Sequence, residues 1–241
     1  MHNMRIRFKI ISFFALAFII AACNNSGSGQ QLQQGDAKTF SEKIHEQNNP
    51  VILDVRTPQE FGGGYIAGAI NIDYNSLEFS QKVNKLDKDE TVFVYCLSGG
   101  RSSSAANDMR RNGFKNVVEL KGGILKWNAA GLDVAAGSGD AKTSMSVDDF
   151  KKMVTADVPV LVDFYAPWCA PCRKMSPMLE ELSKENEGKI KVLKINIDEH
   201  KQLAEEMGVT EIPIFTVYKN GNETARVKGL QTKEELLKIL F

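Results

Sequence analysis

The chain has 241 residues, 43% hydrophobic and 25% charged, with 30 Lys+Arg against 30 Asp+Glu. That is the composition of an ordinary globular protein, long enough for one or two domains and two sizeable cores. No basic block or basic amphipathic stripe follows the first 22 residues, which argues against nucleic-acid binding.

The N-terminus reads as a targeting segment. Arg5, Arg7 and Lys9 form a positive region, and Ile10 to Ile20, broken only by Ser12, is an apolar stretch too short for a comfortable membrane span. Ile20-Ala21-Ala22-Cys23 resembles a bacterial lipobox. That resemblance implies removal of residues 1–22 as a lipoprotein signal peptide, a diacylglyceryl thioether on Cys23 and acylation of the new N-terminus. An ordinary signal peptide with an incidental cysteine is the alternative. Residues 23–35 then form the lipidated end and a flexible tether, starting from Asn24 to Gln30. Several acyl chains on one residue anchor stably. The expectation is an extracytoplasmic, lipid-anchored protein of the bacterial cell envelope, facing the periplasm. Removing three positive charges leaves 27 Lys+Arg against 30 Asp+Glu, a mildly acidic mature chain.

In the first half, Val51 to Val55 and Thr91 to Tyr95 read as short buried strands. Ser102 to Asn112 reads as a helix stopped by Gly113, Val117 to Leu120 as a strand, and Gly122 to Ala130 as a short helix. Between the second strand and the helix lies Cys96-Leu97-Ser98-Gly99-Gly100-Arg101-Ser102. Gly99 and Gly100 let backbone N–H groups converge into an anion cradle backed by a helix dipole, and Arg101 adds a fixed positive charge. A thiolate, a persulfide or a thiosulfate would be stabilised there. The alternative for Cys96 is a buried, inert thiol.

This half resembles the rhodanese family over about residues 36–136, through Asp54-Val55-Arg56, Glu60-Phe61, Gly64 to Ile72, the Cys96 loop and Gly122-Gly123-Ile124 with Trp127. The six positions from Cys96 to Arg101 match the loop of the sulfurtransferases in that family, not the longer loop of its phosphatase relatives. The resemblance implies that Cys96 takes a sulfane sulfur from a donor such as thiosulfate and passes it on as a persulfide. Tyr65 stands where many members carry His, and Asp54 and Arg56 read as structural.

Ala135 to Asp140 is a small-residue break, and the linker is placed at 137–143. Beyond it, Val147 to Thr155 reads as a helix capped by Ser146, Val160 to Tyr165 as a strand, and Cys169 to Glu185 as a helix interrupted by Pro177. Lys191 to Ile197 reads as a strand, and Lys201 to Met207 as a helix ended by Gly208. Ile214 to Tyr218 and Thr224 to Val227 read as strands joined through Asn220-Gly221, and Glu234 to Leu240 as a closing helix. A strand that ends in Cys169-Ala170-Pro171-Cys172 and opens a helix has the pattern of a thiol–disulfide machine, because the helix N-terminus lowers the first thiol's pKa. A structural disulfide and half of a metal site are the alternatives; with no second pair and no matching His, the pattern suits zinc poorly. No metal and no cofactor is expected. His2, His45 and His200 match no ligand pattern, and His200 is expected on a solvated helix start.

The second half resembles the thioredoxin family over about residues 144–241, through Val162 to Cys172, Lys194 to Asp198, Ile212-Pro213 and Lys219-Asn220-Gly221. The resemblance implies Cys169 as attacking thiolate and Cys172 as resolving thiol. It implies Pro213 as a cis-proline beside the disulfide and Asp163 as the buried acid that assists proton transfer. Trp168 would shape the docking surface. Ala170 and Ile214 depart from the family's usual Gly and Thr.

The two resemblances imply an α/β chain of two domains. The first has a rhodanese-like parallel sheet with helices on both faces, the second a thioredoxin fold with a central mixed sheet. The function expected is an exported thiol–disulfide oxidoreductase whose Cys169/Cys172 pair reduces a persulfide formed on Cys96. The alternative is an uncoupled disulfide reductase whose first domain is a non-catalytic binding module. Partners are expected to be thiol or disulfide proteins, small thiols, a sulfane-sulfur donor and the membrane.

Overall fold

A computed structural model describes residues 33–136 and 144–241. The segment expected to be a signal peptide, the expected lipidation site Cys23 and the linker expected at 137–143 lie outside the described residues. Among the described residues no helix is long and apolar enough to cross a membrane.

The first domain runs β1 (Gln33–Gly35), α1 (Ala37–His45), β2 (Val51–Asp54), α2 (Pro58–Gly62), β3 (Ala69–Asn71), α3 (Phe79–Val83), β4 (Thr91–Tyr95), α4 (Gly100–Arg111), β5 (Asn116–Leu120) and α5 (Gly123–Ala129). Its five strands pair in parallel in the order β1-β5-β4-β2-β3. A parallel sheet covered on both faces needs strands apolar on both sides, which explains the unbroken runs of β2 and β4. Val51, Leu53, Val92 and Val94 face one cluster with Phe79, Val83 and Met109 of α3 and α4. Ile52, Phe93 and Tyr95 face the other, with Phe40, Ile124 and Trp127 of α1 and α5. The expected helices on both faces are present.

The second domain runs α6 (Val147–Val154), β6 (Val160–Tyr165), α7 (Ala170–Glu185), β7 (Lys191–Asn196), α8 (Lys201–Glu206), β8 (Ile214–Lys219), β9 (Asn222–Lys228) and α9 (Lys233–Leu240). The sheet order is β7-β6-β8-β9, with β6 parallel to β7 and antiparallel to β8. The β8–β9 turn places Asn220 at φ 53° and Gly221 at φ 77°, the left-handed pair that an Asn-Gly hairpin requires.

One expectation needs correction. Gln33–Gly35, expected within the tether at 23–35, forms β1, with Gln33 in register with Val118. Its polar Gln-Gln-Gly sequence carries no apolar alternation, so only the parallel ladder to β5 defines it. Pro177 lies inside α7, which runs from Ala170 to Glu185. His200 stands at a helix start as expected, as the N-cap of α8; it is half-buried, and its Nδ1 accepts a 3.1 Å hydrogen bond from the Met145 N–H, so the ring ties down the segment before α6.

The two domains share an apolar cluster. Ala166, Trp168, Cys169 and Cys172 belong to the same buried group as Phe79, Val83 and Leu86. Polar links frame it: the Ala170 N–H donates to the Lys85 carbonyl at 3.1 Å, and ion pairs join Lys82 to Asp198 at 2.7 Å and Arg173 to Glu90 at 2.9 Å.

Candidate active sites

β4 delivers Cys96 to the start of α4. Gly99, at φ 107°, is the N-cap of α4, and Gly100 is the helix's first residue. The turn aims the Gly99 N–H at the Cys96 sulfur, 3.1 Å away. Burial pushes the Cys96 thiol up. Hydrogen bonds from the Ser102 hydroxyl and from the N–H groups of Ser102, Gly99 and Ser98 outweigh burial and hold it below its ordinary value. The turn that the glycines form thus closes on the Cys96 sulfur itself.

A second layer locks this loop. The N–H groups of Ile124 and Leu125, at the start of α5, donate to the carbonyls of Cys96 at 2.9 Å and Leu97 at 3.2 Å. Gly123 sits at φ 61°, and a Cβ there would meet the Cys96 carbonyl oxygen at 2.4 Å. Ser102 Oγ also lies 3.0 Å from Oε1 of the buried Glu119, so its single proton serves either the Cys96 sulfur or that carboxylate, and Gln34 Nε2 donates to Glu119 Oε2 at 3.0 Å.

Arg101 is a fixed positive charge that is already paired. Its guanidinium makes two 2.7 Å hydrogen bonds to the carboxylate of Glu60, so it is pinned rather than free to hold an anion alone. Glu60 also accepts the Thr57 N–H in a capping box, and the Arg101 bonds hold its pKa at about 2. Asp54 and Arg56 form a buried ion pair at 2.6 Å, and Arg56 also donates to the Gly64 carbonyl at 2.8 Å, a structural clamp as expected. Tyr65 stacks on Phe61 with ring centroids 4.1 Å apart.

The second site lies where β6 meets α7. Cys169 is the N-cap of α7, its sulfur receives the Cys172 N–H at 3.2 Å, and the two cysteines form a disulfide. The Ile212–Pro213 bond is cis. Asp163 is buried on β6, between Lys194 and Phe215 in the sheet register, and its Oδ1 has no hydrogen-bond partner among the described residues. Burial raises its carboxyl to about 7, partly offset by Lys194, which suits a proton carrier near neutral pH. Trp168 Nε1 donates to Asp198 Oδ2 at 2.5 Å, which fixes the indole beside the disulfide. Trp168 is packed at the domain junction, against Lys82 at 5.7 Å from its ring, rather than displayed as a free docking surface.

The structure thus groups Cys169, Cys172, Trp168, Asp163 and Pro213 in one domain and Cys96, Gly99, Gly100 and Arg101 in the other. Sequence reasoning missed Ser102 and Glu119, which differ from ordinary helix and strand residues only by burial. It also missed Lys82, Lys85 and Glu90, whose roles depend on how the domains dock. Glu60 had a signal in the Thr57-x-x-Glu60 capping pattern. Among the described residues no cluster could hold a metal ion.

Comparison with known proteins follows this division. Residues 36–130 match the family model of the rhodanese-like domain, and residues 141–240 match that of thioredoxin. A thioredoxin of Rickettsia felis is 47% identical over 87 residues, covering 36% of this chain and 83% of that protein. One from Synechocystis is 40% identical over 101 residues, covering 42% of this chain and 94% of that protein. Among solved structures, a rhodanese-related protein of Thermoplasma volcanium is 32% identical, with a TM-score of 0.39, over 43% of this chain and 98% of that one. Plasmodium falciparum thioredoxin is also 32% identical, with a TM-score of 0.36, over 39% of this chain and 90% of that one. The chain is a thiol redox protein that belongs to the thioredoxin family, with a rhodanese-like domain preceding its thioredoxin domain.

Proposed function

We propose that the chain is a thiol–disulfide oxidoreductase with a second, sulfur-transferring site at Cys96, exported and lipid-anchored at Cys23. The observation that carries the first activity is the Cys169–Cys172 disulfide at the N-terminus of α7, with a buried acid of pKa about 7 on the preceding strand β6. In the reduced state, the Cys169 thiolate attacks one sulfur of a substrate disulfide and expels the other as a thiolate. Cys172 loses its proton, with Asp163 as acceptor, and its thiolate attacks the Cys169 sulfur. The second substrate thiolate leaves and the protein disulfide forms, so the substrate gains the two electrons that the pair loses.

At Cys96 the supporting observation is a thiol held below its ordinary pKa by hydrogen bonds. Its thiolate attacks the sulfane sulfur of a donor such as thiosulfate, sulfite leaves, and a Cys96 persulfide remains for a nucleophilic acceptor. In the coupled reaction, Cys169 thiolate takes the outer sulfur and frees Cys96. Cys172 then attacks the Cys169 sulfur and expels hydrosulfide. Arg173, in the first turn of α7, pairs with Glu90 just before β4, whereas Cys96 follows the other end of that strand. The coupled step therefore requires the domains to part.

This docking supports the second reading, in which the first domain only positions the second. Thiosulfate-to-cyanide sulfur transfer separates the two. The favoured reading expects turnover that Cys96→Ala abolishes. Wild-type turnover no greater than that of Cys96→Ala would leave a binding module. If Cys169→Ser with Cys172→Ser releases sulfide from thiosulfate as fast as reduced wild type, the sites are uncoupled.

A further inference from the structure

The Cys169–Cys172 pair is covered by the other domain. Cys169 is 2% exposed and Cys172 5% exposed, although exchange with a protein disulfide requires the attacking sulfur at a surface. The cover is the segment from Glu78 to Glu90, comprising α3 and the loop into β4. Its Lys85 carbonyl accepts the Ala170 N–H, between the two cysteines, at 3.1 Å. Its Phe79, Val83 and Leu86 join the apolar group containing both cysteines. Around this contact lie four ion pairs, Lys82–Asp198 at 2.7 Å, Arg173–Glu90 at 2.9 Å, Lys174–Asp87 at 2.7 Å and Lys201–Glu78 at 3.4 Å, in three of which the cover supplies the acid.

The cover is incomplete. A cavity of about 440 Å³ opens beside it, lined by Lys82, Lys85, Cys169, Pro171, Glu211 and Ile212. That volume lies in the range that accepts a small molecule, ~300–1,000 Å³, and is too narrow for a folded protein. Its lining carries both charge signs, from Lys82, Lys85 and Lys201 against Asp198, Glu205 and Glu211. Such walls suit a small zwitterion better than a polyanion.

We propose that the Glu78–Glu90 segment is a substrate-size filter that admits low-molecular-weight disulfides of the amino-acid type to Cys169 and excludes protein disulfides until the domains part. The proposal rests on the oxidoreductase reading above and specifies its substrate class. In the closed state, the reduced pair exchanges with a small disulfide through the cavity, by the balanced steps already given. A protein disulfide reacts only with the fraction of molecules that are open, so its apparent rate is scaled by that fraction. The frame is built of partly exposed ion pairs, which individually contribute little and are screened by salt. Opening is therefore accessible and salt-sensitive.

The test uses the reduced full chain and a variant altered only on the cover and outside the cavity lining, Asp87→Lys with Glu90→Lys, which reverses the pairs to Lys174 and Arg173 and leaves the thioredoxin domain's sequence untouched. Each is mixed with cystine and, separately, with insulin, and the oxidation of Cys169 and Cys172 is followed in time. The variant is expected to react with insulin at least about tenfold faster than wild type, with cystine rates within about threefold. Oxidation of the wild-type pair by insulin is also expected to accelerate as salt rises, a readout independent of whether the variant folds. Equal insulin rates in wild type and variant, with no salt response, overturn the filter while cystine reactivity leaves the oxidoreductase reading standing. If neither disulfide oxidises the pair in either protein, that reading falls, and the filter with it.

Discussion

The two cysteine sites are built on the same local plan, a strand that ends at a cysteine and a helix that begins beside it, yet they are controlled from different places. Cys96 is governed from within its own domain: Gly99, Ser102 and the start of α5 set the loop and hold its thiol below the ordinary value. Cys169 and Cys172 are chemically equipped by their own helix, but access to them is governed by the neighbouring domain, through Lys85 and the ion pairs around it. Reactivity and accessibility are thus separable properties. A fusion of two domains can change the second without altering a residue of the first.

The sharpest way to break this comparison is to remove one nucleophile at a time. Cys169→Ser is expected to lower disulfide exchange by at least about a thousandfold while leaving thiosulfate sulfur transfer intact, and Cys96→Ala to do the reverse. Steady-state assays of both activities on both variants check it. Loss of both activities from either change would show one composite site.

Asp163 gives the next largest effect. Its folded-state carboxyl, at about 7, lies above its ordinary value of 3.8, so across that window the folded protein keeps a proton that the unfolded chain has released. Stability therefore falls as pH climbs from about 4 to about 7. Asp163→Asn removes this penalty and is expected to add up to about 4 kcal/mol above pH ~8, with the gain vanishing below pH ~4. Denaturant titrations at the two pH values measure it. The same variant is expected to slow Cys172 attack near neutral pH.

Gly123→Ala places a methyl 2.4 Å from the Cys96 carbonyl oxygen at a positive φ, so it must push the Cys96 loop away from α5. A loss of about 2 kcal/mol or more, with weakened sulfur transfer and unchanged disulfide exchange, is expected from denaturation and the paired assays. The smallest effect is that of Ser102→Ala. Losing the Ser102 hydroxyl as a hydrogen-bond partner of the Cys96 sulfur is expected to raise the thiol's pKa, read from the pH dependence of its alkylation.

Much of this architecture was legible in the sequence because the physics was local. β2, β4 and β6 are apolar runs bounded by turn residues, and Asn220-Gly221 marked its hairpin through the backbone freedom of those two residues. The Cys96 loop was legible because glycines and a helix start form a turn at fixed spacing. What was hidden depended on distant partners. β1 exists only through its ladder to β5, and α3 is a five-residue helix whose sequence, Phe-Ser-Gln-Lys-Val, carries little periodicity. Arg101 has a fixed charge in any reading, but its pairing with Glu60 spans 41 positions and requires the sheet. The cover over Cys169 joins Lys85 to Ala170 through the docking of two separate cores, a relation that no single-domain pattern carries.

In the proposed mechanism Cys169 is the exchanging nucleophile and Cys172 its resolver. Trapping tests it most directly: reduced Cys172→Ser protein is exposed to cystine, and the adducts are mapped by peptide mass spectrometry. The account expects a stable mixed disulfide on Cys169, absent from the wild-type chain, where Cys172 releases it. An adduct confined to Cys96, or a wild-type chain that retains the same Cys169 adduct, would contradict it.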